Sequence, residues 1–430
     1  MDGGTFNHII PYIKKRLLPN FKKLFREGFY SDLNVTIPPV TIPSFPCLFT
    51  GLSVKDLGYC TFYDPSFGIF SSKLWREWSI MSNTNLRIFC LNLPSSYPAW
   101  NFNGEMITGM ITPTLNEKMY FPNGIGKIIR KDWIIDGSDI NEIFQAFKIK
   151  SKLFLEKLKE DFELFIYIIR VPDCITHHPK YRLKRTQDII KEGYKRIDNF
   201  LGKILSSINF DNLFIISDHG LKIYQYEFNI KRFLEKEKVL FYNNDKISKF
   251  MSIFVKIFGF FNRTLFDTTF FHNNFKTFLT KLKAKINPSG SQNKKINILN
   301  KSRFIHFYSN YGGLYLSEYD KKFKKKIKII SKKCKYIEDV IEFDSKTLPD
   351  LIFCLKSNYL YSVKSSFFLK NRFNSFNHSD KGIFIAYGKN IIHGRSNETN
   401  YLDFIPTLLK LYEIPIPAHM RGRILKIINK

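Results

Sequence analysis

The sequence predicts an α/β sandwich built on a mainly parallel sheet. Two observations carry that prediction. Several short apolar runs are nearly continuous in hydrophobicity rather than alternating, and helical patterns separate them. A strand covered by helices on both faces has no polar side to present, so it reads as an unbroken apolar run. Strands alternating with helices then give layers with the sheet in the middle.

In chain order, "LRIFCLNL" (86–93), "FELFIYIIRV" (162–171) and "NLFIIS" (212–217) read as buried strands, as do "DLIFCL" (350–355) and "GIFIAYG" (382–388). "TQDIIKEGYKRIDNFLGKILSSI" (186–208) and "NYLDFIPTLLKLYEI" (400–414) carry the period of amphipathic helices. The stretch 226–345 differs, being rich in Lys and Phe and reading as mostly helical, with a polar loop tip at "NPSGSQNKK" (287–295). It is expected as a basic helical cap inserted into a core made of 1–225 and 346–430. No internal repeat stands out.

A chain of 430 residues, 44% hydrophobic and 24% charged, has the composition of a folded globular protein. The six cysteines (47, 60, 90, 174, 334 and 354) contain no CxxC pair. That argues against a thiolate zinc site or a disulfide framework, and suits a reducing, cytoplasmic compartment. "MDGGTFNHII" has no basic stretch followed by an apolar core, so no secretory signal is visible. The most lipid-like segment, "FMSIFVKIFGFF" (250–261), is interrupted by Lys256 and is shorter than the roughly 20 apolar residues that span a bilayer. It reads as a helix packed within the insertion, with peripheral membrane contact as the second reading. The formal charge of +29 comes from lysines scattered along the chain among abundant Asn, Ile, Phe and Tyr. Such a spread points to an anionic partner of some kind without implying a nucleic-acid fold.

Open α/β sheets place their ligands at the carboxyl ends of the strands. Asp218 and His219 follow "NLFIIS"; Asp173 and His177, four apart, follow "FELFIYII" in "RVPDCITHHP"; His378 precedes "GIFIAYG"; Asp2 opens the chain. An isolated Asp-His pair at a strand end reads first as a turn, and Asp-x-x-x-His alone is close to chance. Together, three carboxylates and three imidazoles offer enough oxygen and nitrogen donors for two divalent ions. His178 reads as a surface or outer residue, and His306, His393 and His419, without acidic neighbours, read as structural. Thr41 lies between Pro39 and Pro43. Local sequence there reads as a rigid turn entering a helix near Ser44.

The opening "MDGGTFNHIIPYIKKRLLPNFKKLFREGFYSDLNVTIPPVTIPSFPCLFTG" resembles that of the type I phosphodiesterase/nucleotide pyrophosphatase family in the alkaline phosphatase superfamily, and specifically its microbial branch. "FNGEMITGMITP", "RVPDCITHH", "SDHG", "YEFNIKRFL", "PDLIFCL", "HSDKGIFIAYG" and "DFIPTLLKLYEIPIPAHMRGRIL" then recur in the family's order, over nearly the whole chain. The resemblance implies an alkaline-phosphatase-like three-layer fold and a hydrolase of phosphodiester or pyrophosphate bonds in small phosphate-containing substrates. It implies one metal at Asp2, Asp218 and His219, another at Asp173, His177 and His378, and Thr41 as nucleophile, passing through a phosphothreonine. The mixed His/Asp set suits Zn²⁺ first and Mn²⁺ second.

Two departures from the family pattern are present. Ser44 holds the place of an Asn that binds a phosphate oxygen, which makes Ser44 the substrate-binding candidate and leaves nucleotide specificity open. The chain begins at the metal-binding Asp, so either a strand lies upstream or Asp2 sits on a frayed end. Within the superfamily, a sulfatase is disfavoured because no Cys/Ser-x-Pro-x-Arg pattern surrounds Thr41, and a membrane-bound phosphoethanolamine transferase by the lack of spanning segments. A phosphomonoesterase or phosphonate hydrolase stays open. So does a non-catalytic basic protein that binds anionic polymers or membrane surfaces.

Overall fold

The computed structural model describes residues 1–61, 67–129, 132–177, 183–207, 209–237, 239, 303–316, 321–345, 347–362 and 369–429. The 250–261 segment, the 287–295 loop tip and His178 lie outside the described residues.

The first part of the chain forms α1 (Phe6–Lys14), α2 (Pro19–Glu27), β1 (Phe29–Asn34), α3 (Thr41–Thr50), α4 (Val54–Leu57), α5 (Phe67–Trp78) and α6 (Ile80–Asn83). There follow β2 (Ile88–Leu93), β3 (Gly104–Thr108), β4 (Tyr120–Phe121), α7 (Ile140–Lys157), β5 (Leu164–Tyr167), α8 (Val171–Thr176), α9 (Leu183–Ser207) and β6 (Asn212–Ile216). Next come β7 (Gly220–Asn229), α10 (Ile230–Lys236), β8 (Arg303–His306), β9 (Tyr311–Tyr315), α11 (Lys321–Lys332) and β10 (Ile337–Glu342). The described chain closes with β11 (Leu351–Leu355), β12 (Tyr359–Ser362), β13 (Leu369–Ser379), β14 (Lys381–Gly388), β15 (Gly394–Asn400) and α12 (Phe404–Leu411).

Two four-stranded sheets form the core, ordered β15-β1-β14-β6 and β4-β3-β2-β5. Every residue of β2 is buried, and its side chains alternate between two clusters up to a register shift between Leu91 and Leu93. Phe89 and Leu91 join the cluster that holds Ile143, Tyr194 and Ile197 of α7 and α9. Ile88, Cys90 and Leu93 join Phe45, Phe404 and Ile405 of α3 and α12. Strand β14 divides in the same way, with Ile383 and Ile385 on one side and Phe384 and Ala386 on the other. Successive strand residues point to opposite faces, so helices cover both. That is the three-layer arrangement expected from the unbroken apolar runs.

Pairing is parallel for β2 with β3 and β5, and for β1 with β15. Strand β4 runs against β3, and β14 runs against both β1 and β6. Strand β14 starts at Lys381, immediately after β13 has ended at the edge where β6 finishes, so it can only run away from that edge.

The remaining strands form two further sheets, ordered β10-β11-β9-β8 and β12-β7-β13. These two sheets depart from the arrangement expected of 226–345 and of "DLIFCL". "DLIFCL" does form a fully buried strand, β11, but it pairs antiparallel with β9 and β10 outside the core sheets. The described residues of 303–345 are three strands and one helix rather than mostly helix, and β7 runs through the 225/226 division. Burial on both faces produces the same apolar run in either kind of sheet, so hydrophobicity could not assign β11. Strands as short as "RFIH" and "YGGLY" leave little periodicity to read. One face of this outer sheet packs with α10 and α11 through Phe233, Ile327 and Phe353, while Tyr311 and Ile352 pack with Ile42 and Cys47 of α3. Helix α3 is thus wedged between the core and the outer sheet.

Candidate metal centre

Residues 1 and 2 lie between the ends of the two core sheets. The Met1 amine donates to Ile216 O at 2.6 Å, at the end of β6, and the Asp2 N–H donates to Ile169 O at 2.8 Å, just beyond β5. Asp2 is therefore 0% exposed, and the expectation of a frayed end is overturned. Gly3 follows with φ +69, a left-handed turn that glycine adopts without strain. That turn brings its N–H to Asp218 Oδ1 at 3.2 Å.

Asp218 and His219 leave β6 where β7 begins, and both are buried. His219 Nδ1 donates to the carbonyl of Gly220 at 3.1 Å. Because a carbonyl only accepts, Nδ1 carries a proton and Nε2 is the nitrogen that faces inward. Nε2 lies 3.3 Å from Asp2 Oδ1 and 3.6 Å from Asp218 Oδ2. Asp2, Asp218 and His219 each place one donor atom within 4.8 Å of the others.

The second group forms around α8. Pro172 starts the helix, and one turn later the His177 N–H bonds to Asp173 O at 3.2 Å. The turn that the four-residue spacing required is therefore present, and it sets His177 Nε2 3.2 Å from Asp173 Oδ1. His378, at the end of β13, donates from Nδ1 to Pro39 O at 2.9 Å. Its Nε2 then faces His177 Nε2 at 2.7 Å and Asp173 Oδ1 at 3.4 Å. The His219 and His378 rings stack with centroids 3.8 Å apart, so His219 also closes one side of this second group.

Thr41 is the first residue of α3 and is 5% exposed. Its hydroxyl lies 3.3 Å from Asp2 Oδ1, to which it donates, and 3.3 Å from His219 Nε2. The start of a helix carries partial positive charge and suits an anion beside that hydroxyl. The Ser44 hydroxyl is buried one turn further on, donating to Val40 O at 2.7 Å and paired with Thr36 Oγ1.

The electrostatics fit a bound cation. Burial and then the neighbouring Asp2 charge push Asp218 up to about 7. Burial alone would lower His219, yet Asp218, Asp2 and Asp173 together raise it to about 10. Burial lowers His378 to about 4, helped by the His219 charge. Burial would also raise Asp173, but the His177 and His378 rings hold it well below the usual carboxylate range. Crowded carboxylates thus draw positive charge onto whichever group can supply it. Moreover, Asp173 Oδ1 and Asp218 Oδ2 are buried without a hydrogen bond, a costly state that coordination to an ion would relieve. Oxygen and imidazole donors in this mixture suit a divalent first-row metal.

All six predicted ligands and Thr41 converge. Three neighbours escaped the sequence reading. Arg170, directly before "VPD", bonds Asp2 Oδ2 at 2.9 Å, and a cation ending an apolar strand beside an acid was a readable signal. Tyr308 holds a left-handed backbone (φ 52), is 55% exposed and sets its ring edge-on to His177 at 5.5 Å. His306, read as structural, accepts the Tyr308 N–H at 2.7 Å. Nothing local to "HFYSN" signals those two contacts.

Carboxylates and imidazoles gathered at one edge of an α/β sandwich, five of the six buried and with a hydroxyl among them, define a metal-dependent hydrolase. Residues 1–360 match the family described as type I phosphodiesterase / nucleotide pyrophosphatase, and the chain belongs to that family. Solved structures with a similar fold include murine ectonucleotide pyrophosphatase / phosphodiesterase 5, at 13% identity and a TM-score of 0.58, covering 100% of this chain and 98% of that one. The human protein of the same name is similar at 14% identity and a TM-score of 0.56, covering 100% and 98%. An inactive form of the murine protein, in complex with AMP, matches at 14% identity and a TM-score of 0.56, covering 97% and 94%. No curated protein sequence matches the chain.

Proposed function

We propose that this chain cleaves phosphodiester or pyrophosphate bonds with two divalent ions, by way of a phosphothreonine at Thr41. Asp2, Asp218 and His219 would hold one ion, and Asp173, His177 and His378 the other. Zn²⁺ is the first choice and Mn²⁺ the second. When bound, such ions polarise phosphoryl oxygens and favour the ionised forms of attacking and leaving oxygens. The observation that carries the reading is the Thr41 hydroxyl, 3.3 Å from both Asp2 Oδ1 and His219 Nε2.

Thr41 Oγ1 attacks phosphorus as its proton is released to water, and the ester oxygen opposite departs with the electron pair of the broken P–O bond. Water then cleaves the Thr41–phosphorus bond, returning the hydroxyl and releasing the phosphorylated product. The start of α3 faces the negative charge that develops on the phosphoryl group. Ser44, whose hydroxyl is engaged within α3 and with Thr36, braces that helix end in this reading rather than touching substrate. Nucleotide-type esters are the substrate class, consistent with the family and with AMP in the murine relative.

The test is hydrolysis of bis(p-nitrophenyl) phosphate against p-nitrophenyl phosphate, with Zn²⁺ or Mn²⁺ returned to chelated protein. The expected result is metal-dependent cleavage that favours the diester and falls by roughly 10³-fold or more in Thr41→Ala. Equal turnover by that variant would remove Thr41 from the chemistry. A preference for the monoester would turn the reading toward a phosphomonoesterase.

A further inference from the structure

Arg170 stands where the two ligand groups meet. It is the last residue before α8, and its side chain is 12% exposed. Its Nε donates to Asp2 Oδ2 at 2.9 Å, and its Nη2 lies 3.9 Å from Asp173 Oδ2. In both carboxylates, therefore, the guanidinium faces Oδ2. In both, Oδ1 faces the imidazoles: Asp2 Oδ1 is 3.3 Å from His219 Nε2, and Asp173 Oδ1 is 3.2 Å and 3.4 Å from those of His177 and His378. One side chain thus lies against the outer oxygen on each side of the centre, hydrogen-bonded to Asp2 and in ion-pair range of Asp173. The contact spans 168 positions of sequence to Asp2 and three to Asp173.

A cation beside two metal sites would repel the ions it serves unless its charge were offset. Asp136 supplies that offset, pairing with Nη1. The guanidinium is a rigid planar fork, able to orient two acceptors at once where an ammonium holds one. Hydrogen bonds to the outer atoms of ligating groups commonly set ligand orientation and metal affinity.

We propose that Arg170 is a positioning residue that turns Oδ1 of Asp2 and of Asp173 toward the two ions and so couples the geometry of both sites. This rests on the two-ion reading above. A purely structural ion pair would affect unfolding and leave metal affinity alone, so affinity is the quantity to measure.

Chelated full-length protein is titrated with Zn²⁺, and separately with Mn²⁺, by calorimetry, alongside circular dichroism and thermal unfolding of the metal-free chain. Wild type should take two ions. Arg170→Gln should weaken both by about 10- to 100-fold while the metal-free fold persists. Arg170→Lys, which keeps the charge without the fork, should weaken one ion only. If the Gln variant fails to fold, the Lys variant carries the test. Wild-type isotherms in whichever variant folds overturn the proposal, and so does tighter binding by Arg170→Gln, which would mean that charge repulsion dominates. A wild type that binds no ion sinks the two-ion reading together with this one. Two ions in wild type with an unchanged variant sink only the role given to Arg170.

Discussion

At Gly220 the chain has no room for a side chain. A Cβ there would lie 1.9 Å from the carbonyl oxygen of Lys381, where β7 passes the start of β14. This explains the glycine that follows Asp218 and His219, since the strand carrying both must turn against its neighbour's backbone. Gly220→Ala should destabilise the protein by roughly 3 kcal/mol, read from urea unfolding, because only backbone movement relieves the clash. Asp218→Ala should leave about one of the two ions per chain by metal analysis and abolish diesterase turnover. Retention of both ions in that variant would break the assignment of Asp218.

At the scale of the element, α1 carries a titratable group that the chemistry does not use. His8 packs among the rings of Tyr12, Tyr194 and Phe376, and burial lowers it to about 4. Its Nδ1 has no hydrogen-bond partner. In the unfolded chain the same imidazole titrates near 6.5. Between those values the unfolded state binds the extra proton, so stability is full above about 6.5 and falls as pH drops toward 4. At about 1.4 kcal/mol per unit, the loss amounts to about 3 kcal/mol. His8→Phe should flatten that part of the stability–pH curve, measured by urea unfolding between pH 4 and 7. An unchanged slope would place the acid sensitivity elsewhere. Helix α3 depends on its position in a comparable way, because the core and the outer sheet hold it from two sides and fix the height of Thr41.

For the whole molecule, the charge of +29 raises the alternative of a basic protein that binds polyanions without catalysis. The two readings separate on chelation. A hydrolase should lose turnover when its ions are stripped and regain it with Zn²⁺ or Mn²⁺. A polyanion binder should keep its affinity and show a steep salt dependence. We expect the first outcome, measured as diester hydrolysis before and after dialysis against chelator.

The sequence by itself determined which residue types stand at the ends of the buried strands. Asp218, His219, Asp173 and His378 were legible because each follows or precedes an apolar run, and local spacing alone puts it at that edge. The fold class was legible for the same reason, as β2 and β14 are apolar on both faces. Only the tertiary structure decided that β11 belongs to the outer sheet, since burial looks alike in both settings. It also decided that Asp2 is buried between β5 and β6, that the Ser44 hydroxyl is occupied, and that Arg170 reaches two acids and Tyr308 a histidine. Those outcomes depend on contacts between segments far apart in the chain, whose partners are fixed only when the layers close upon one another.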